Sequence, residues 1–60
     1  MGDWLMFYLA TADKIKFLDD RGALSYRGSG QLPLTFPTPD QAYRHAKNNP
    51  DLKVWHYEGQ

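Results

Sequence analysis

Sixty residues with seven basic and seven acidic side chains carry no net charge and admit one domain at most. A chain this short buries only about 60% of its unfolded surface, and without cysteine it has no disulfide framework or thiolate metal site to reinforce it. Both charge signs are scattered along the sequence, which argues against a dedicated duplex-DNA binder with its basic residues gathered on one face.

The longest apolar run, residues 4–10, falls well short of the roughly 20 residues needed to span a membrane and lacks the basic flank of a signal peptide. Gly2 with Met6 does not fit the myristoylation pattern. The expectation is a cytoplasmic chain with no membrane partner, in keeping with a cysteine-free composition.

In chain order, WLMFYLA (residues 4–10) reads as the first strand. Leu5, Phe7 and Leu9 line one side, and Trp4, Met6 and Tyr8 the other. A strand apolar on both faces is usually central, or belongs to a sheet whose second face is also covered. Residues 14–26, KIKFLDDRGALSY, admit two readings. Thr11 could cap a short helix that ends at Gly22, with Ile15 and Leu18 on one face. Alternatively, residues 14–18 and 23–26 are strands of a hairpin, with DDRG as the turn and Gly22 supplying a positive φ. Alternation of Ile15 and Phe17 with lysines favours the hairpin.

RGSGQ (residues 27–31) is a glycine-rich connection whose spacing does not fit a phosphate loop. Residues 32–36, LPLTF, predict a further strand that lies at an edge, or at least begins at one, since Pro33 has no N–H to give to a ladder. The helix opening is clear. Thr38 suits the N-cap, Pro39 the first helical position, and Asp40 the positive end of the dipole, while Gln41 completes a capping box. Ala42 and Ala46, with Tyr43 beside them, predict the buried stripe, and Arg44, His45 and Lys47 fall toward solvent. Asn48 and Asn49 predict a left-handed cap and Pro50 forbids continuation. Residues 52–58 supply the last strand.

The expected architecture is α+β: a small, mostly antiparallel sheet of about four to five strands, in the order β-β-β-β-α-β, with one helix on one face. Catalytic and metal-site readings find little support. His45 and His56 are the only histidines, at no spacing that marks a zinc site, and Asp19 and Asp20 read as turn formers. The chain is expected to be no enzyme and to need no cofactor or metal.

Nine aromatic residues in sixty are the stronger lead. If Leu52 and Val54 face the helix, alternation sends Trp55 and Tyr57 to the opposite face, where they join Trp4, Met6 and Tyr8. An apolar sheet face without a covering layer marks an interface; the alternative is that the strand takes the other register or that loops fold back over this face. Its expected occupant is another protein or a second copy of the chain. Single-stranded nucleic acid, stacked on the aromatics with Lys14, Lys16, Arg27 and Lys53 at hand, is the less favoured alternative.

FPTPDQAYRHA followed by LKVWHY resembles one segment of the small phage-encoded host-takeover proteins, such as the podophage inhibitor of bacterial RNA polymerase. The shared pattern is Thr38, Asp40, Ala42 and Ala46 between two strands, over less than half the chain. In that inhibitor the strand after the helix carries arginines that contact the polymerase; here the corresponding positions hold Trp55, His56 and Tyr57. The resemblance implies a tiny αβ regulator that acts by occluding a larger protein.

Overall fold

A computed structural model describes residues 6–57. Strands β1 (Met6–Ala10), β2 (Lys16–Leu18), β3 (Leu24–Tyr26) and β4 (Lys53–Tyr57) form one antiparallel sheet in the order β3-β2-β1-β4. The single helix α1 (Pro39–Ala46) packs on β1 and β4. The α+β class expected from the sequence is what the chain adopts, and β1, apolar on both faces, lies inside the sheet between β2 and β4, the first of the two places its patterning allows. Trp4 and Leu5 lie outside the described residues.

The β1–β4 register sets the two faces. Phe7 pairs with His56 and Leu9 with Val54, while Met6 pairs with Tyr57, Tyr8 with Trp55 and Ala10 with Lys53. The first set faces the helix. Leu9, Leu18, Phe36, Ala42 and Leu52 form the buried core there, with Phe7, Leu34, Ala46 and Val54 packed against it. Ala42 is fully buried, so its small side chain lets the helix backbone approach the sheet.

The helix begins as its sequence dictates. Thr38 is extended, with φ −133 and ψ 150, and its hydroxyl accepts from the Gln41 N–H at 3.4 Å. That bond is long, so Thr38→Ala is expected to cost about 0.5–1 kcal/mol, the low end for a lost cap, read from the urea midpoint.

The other end departs from expectation. Lys47 caps it in a right-handed conformation with φ −60, and no asparagine adopts a positive φ. Tightened turns close the last carbonyls instead: the Asn48 N–H donates to His45 O, the Asn49 N–H to Ala46 O, and the Asn49 side-chain amide to His45 O at 3.2 Å. Tyr43 is 59% exposed, not part of the buried stripe. It sits about 100° around the helix from Ala42, and a helix this short covers only β1 and β4. His45 is exposed as expected, although its ring centroid lies 4.8 Å from that of Phe36.

The expected edge strand over residues 32–36 is also corrected. It makes two isolated bridges, Asp19 with Pro33 and Phe7 with Phe36, and it runs between β2 and β1 where those strands diverge beyond Ala10 and Phe17. Pro33 is tolerated in this interior place because its neighbours carry the bonds. The Asp20 N–H donates to Leu32 O and the Leu34 N–H to Leu18 O, so the missing N–H falls at a position that a ladder leaves unused.

The hairpin reading of residues 14–26 holds, with shorter strands. Phe17 pairs with Ser25 and Leu18 with Leu24, and Gly22 takes φ +84 in the connection. Asp19 is the turn former that the sequence implied, but it is completely buried. Its Oδ1 accepts from the Arg21 and Ala23 N–H groups, and its Oδ2 from the Ser25 hydroxyl and the Arg21 guanidinium.

Candidate functional site

Side chains on the face away from α1 come from all four strands, β3 contributing the buried Ser25 opposite Phe17. Cross-strand partners share a face, so Met6, Tyr8, Ala10, Phe17, Lys53, Trp55 and Tyr57 lie on it together. Four of the five residues expected from the sequence to form a contact surface, Met6, Tyr8, Trp55 and Tyr57, are thus neighbours; the fifth, Trp4, lies outside the described residues. The placement follows from Val54 entering the core beside Leu9, which commits the rest of β4 by alternation.

Their exposure is less than an open face implies. All four are half-buried, and Ala10 and Phe17 beside them are buried. The aromatics shield one another: the Tyr8 and Tyr57 rings meet edge to face at 5.7 Å, a favoured aromatic geometry. The Trp55 indole N–H donates to Ala10 O at 3.2 Å, which turns the ring inward across β1.

Lys14 adds a cap to this arrangement. In the β1–β2 connection it adopts φ 62, the left-handed region, a conformation costing roughly 1–2 kcal/mol for a residue with a Cβ. The turn is held by the Lys14 N–H donating to Thr11 O and the Ile15 N–H donating to Asp13 Oδ1. The Thr11 hydroxyl bond and the Ile15 N–H hold the Asp13 carboxyl below its ordinary range. The turn brings the Lys14 ammonium to 4.2 Å from the Trp55 ring centroid, close enough for a cation–π contact of about 0.5–1 kcal/mol.

Two further cations border the aromatics. Lys53 shares their face through its pairing with Ala10. Arg27, just past β3, is near enough to Tyr8 for its charge to act there: burial pushes the Tyr8 hydroxyl up, and the guanidinium opposes that shift. Lys16 goes to the other face, where its ammonium lies 5.5 Å from the Tyr26 ring centroid. Three of the seven basic side chains, Lys14, Arg27 and Lys53, thus border the aromatic face.

Sequence reasoning missed a second surface. Leu24 and Tyr26 of β3 are 55% and 59% exposed. Leu24 pairs with Leu18 of the core, so both belong to the helix side of the sheet, beyond the reach of α1. Leu24, Lys16 and residues 48–52 after the helix line an open cleft of about 220 Å³. The short helix was the available clue, since it cannot cover four strands.

Among the described residues no group of three or more His, Cys, Asp or Glu side chains could hold a metal ion, and no helix is long and apolar enough to cross a membrane. Fold and site together define a small antiparallel α+β domain with a cation-bordered aromatic sheet face. Comparison with protein-family models, characterised proteins and solved structures finds no match.

Proposed function

We propose that the chain is a non-catalytic, cytoplasmic protein-binding module, a small regulator or inhibitor that covers part of a larger protein with its aromatic face. The observation that carries this reading is the convergence of Met6, Tyr8, Trp55 and Tyr57 on the face that α1 leaves free. Tyrosine, tryptophan and methionine are enriched in interface centres, and rigid half-buried aromatics lose little side-chain freedom on binding.

A photo-crosslinking residue at position 57 is expected to capture one discrete partner from the source cytoplasm. Tyr8→Ala and Tyr57→Ala are then expected to weaken the purified pair by about 30-fold each, the scale of an aromatic hot spot. If those variants bind normally while Leu24→Ser and Tyr26→Ser do not, the β3 surface is the site and this reading fails.

The cations bordering the face favour one second reading, a single-stranded nucleic-acid platform on which bases stack on Tyr8 and Trp55. It requires retention of oligonucleotides at low salt that falls steeply as salt rises. The protein-binding reading expects no such retention.

A further inference from the structure

The main-chain bonds of Phe7 determine what the outer edge of β4 presents. The Phe7 N–H donates to Phe36 O at 2.9 Å, and its carbonyl accepts from the Phe36 N–H at 2.8 Å. In an antiparallel strand both main-chain groups of a residue point to the same side, and the sides alternate along the chain. Phe7 therefore faces away from β4, and Met6, Tyr8 and Ala10 bond to their partners Tyr57, Trp55 and Lys53. The intervening Val54 and His56 turn their N–H and C=O groups outward. Among the described residues no element pairs with that edge.

We propose that this edge pairs with the same edge of a second copy of the chain, antiparallel about a two-fold axis at Trp55. The register is self-complementary. Val54 of one copy meets His56 of the other, and His56 meets Val54, so the four outward groups of each strand are satisfied at two bonded pairs. Trp55 faces its own counterpart at the unbonded pair between them. Its indole is already turned inward over Ala10, which leaves the edge clear for a strand to approach.

No like charges meet in this register. Lys53 of one copy lies opposite Tyr57 of the other, a pairing that the chain already uses in its hairpin, where Lys16 lies opposite Tyr26. Lys53 is the one charged guard on this edge, and two other guards are missing. β4 contains no proline, and its register with β1 runs unbroken from Met6–Tyr57 to Ala10–Lys53 without a bulge. β3, at the far edge of the sheet, has only three residues. An isologous β4–β4 contact makes an eight-stranded sheet and joins the two aromatic faces into one.

Sedimentation equilibrium across concentration, up to millimolar, is expected to show the mass rising from 6.9 kDa toward twice that value. His56→Pro removes an N–H that the monomer does not use, so it is expected to retain the fold by circular dichroism while weakening the dimer about 10- to 100-fold, since two bonds per dimer are lost. Should the proline variant not fold, single cysteines in this cysteine-free chain report the register. Trp55→Cys is expected to oxidise to a disulfide dimer, because position 55 faces itself, and Tyr57→Cys is not. A chain that stays at 6.9 kDa throughout overturns the proposal. So does a dimer that folded His56→Pro leaves intact and Tyr8→Ala disrupts, since that places the contact on the aromatic face. Binding of a foreign protein through that face is a separate reading, and loss of the dimer in His56→Pro leaves it standing.

Discussion

Leu9→Ala is expected to leave the chain largely unfolded at 25 °C. Leu9 and Asp19 are the largest side chains with no solvent exposure, and Leu9 stands where β1, β4 and the helix meet, paired with Val54 and clustered with Ala42. Removing three buried carbons from a fully enclosed leucine costs about 2–5 kcal/mol, the upper part of that range applying where the surroundings cannot collapse into the space. A single core in a chain below about 70–80 residues rarely supplies more than about 3–5 kcal/mol in total. The loss is therefore comparable to the whole stability. Leu9→Met, which nearly conserves volume, is expected to cost less than about 1.5 kcal/mol and to keep a cooperative urea transition. Amide-proton dispersion by NMR separates the two outcomes, and a well-dispersed Leu9→Ala spectrum would show that the core tolerates the hole.

Leu9 was readable from sequence as one side of a two-sided strand, and so was much of the frame around it. Thr38, Pro39 and Asp40 announce the helix start through local capping chemistry, which depends on nothing distant. Val54 and Trp55 announce opposite faces because alternation is a property of the strand itself. Residues 32–36 were less legible. LPLTF has strand composition, but it occupies a gap left where β2 and β1 diverge, and that geometry belongs to three segments at once. The helix C-terminus misled for a related reason. Asn48 and Asn49 permit a left-handed cap, but i→i+3 bonds and the Asn49 side chain satisfy the same carbonyls.

The aromatic face shows the same division. Its membership followed from periodicity, whereas its degree of cover did not. Half-buried Trp55 bonds its indole N–H to Ala10 O, and Lys14, forty-one positions earlier in the sequence, takes a left-handed conformation and lays its ammonium over the ring. Nothing local to KIKF marks Lys14 for that conformation, since lysine is not a residue that favours it. The exposed Leu24 and Tyr26 were missed for the converse reason. Their pattern is that of an ordinary half-buried strand, and only the reach of an eight-residue helix leaves them open.

Asp19→Ala is expected to destabilise the domain strongly, lowering the melting midpoint by about 10 °C or more, as loss of a buried hydrogen-bond network does in a domain this small. Four donors converge on this carboxylate, and alanine leaves the Arg21 and Ala23 N–H groups and the buried Ser25 hydroxyl without their acceptor. Asp19→Asn keeps one acceptor oxygen but points an amide at the Arg21 guanidinium, donor against donor, so it is expected to fall between alanine and the parent. Arg21→Ala should change little. Its side chain is 63% exposed although its partner is fully buried, and the other three donors to that carboxylate, the Arg21 main-chain N–H among them, remain.

The pH dependence separates the carboxylate's charge from its shape. The Ser25 hydroxyl first, then the Ala23 N–H and the Arg21 groups, hold Asp19 far below the ordinary carboxylate range, against a desolvation that acts the other way. Its folded pKa is thus lower than the unfolded value of about 3.9, and in acid the unfolded chain binds the extra proton. The stabilisation is complete above about pH 5 and is lost progressively as pH falls toward the folded pKa. Between about pH 5 and pH 2 the parent is therefore expected to lose stability more steeply than Asp19→Asn. Asp13, also held low, contributes a slope of the same sign that persists in both proteins. Urea midpoints measured across this range test the assignment, and parallel curves for parent and Asp19→Asn would show that the carboxylate holds the loop by shape rather than by charge.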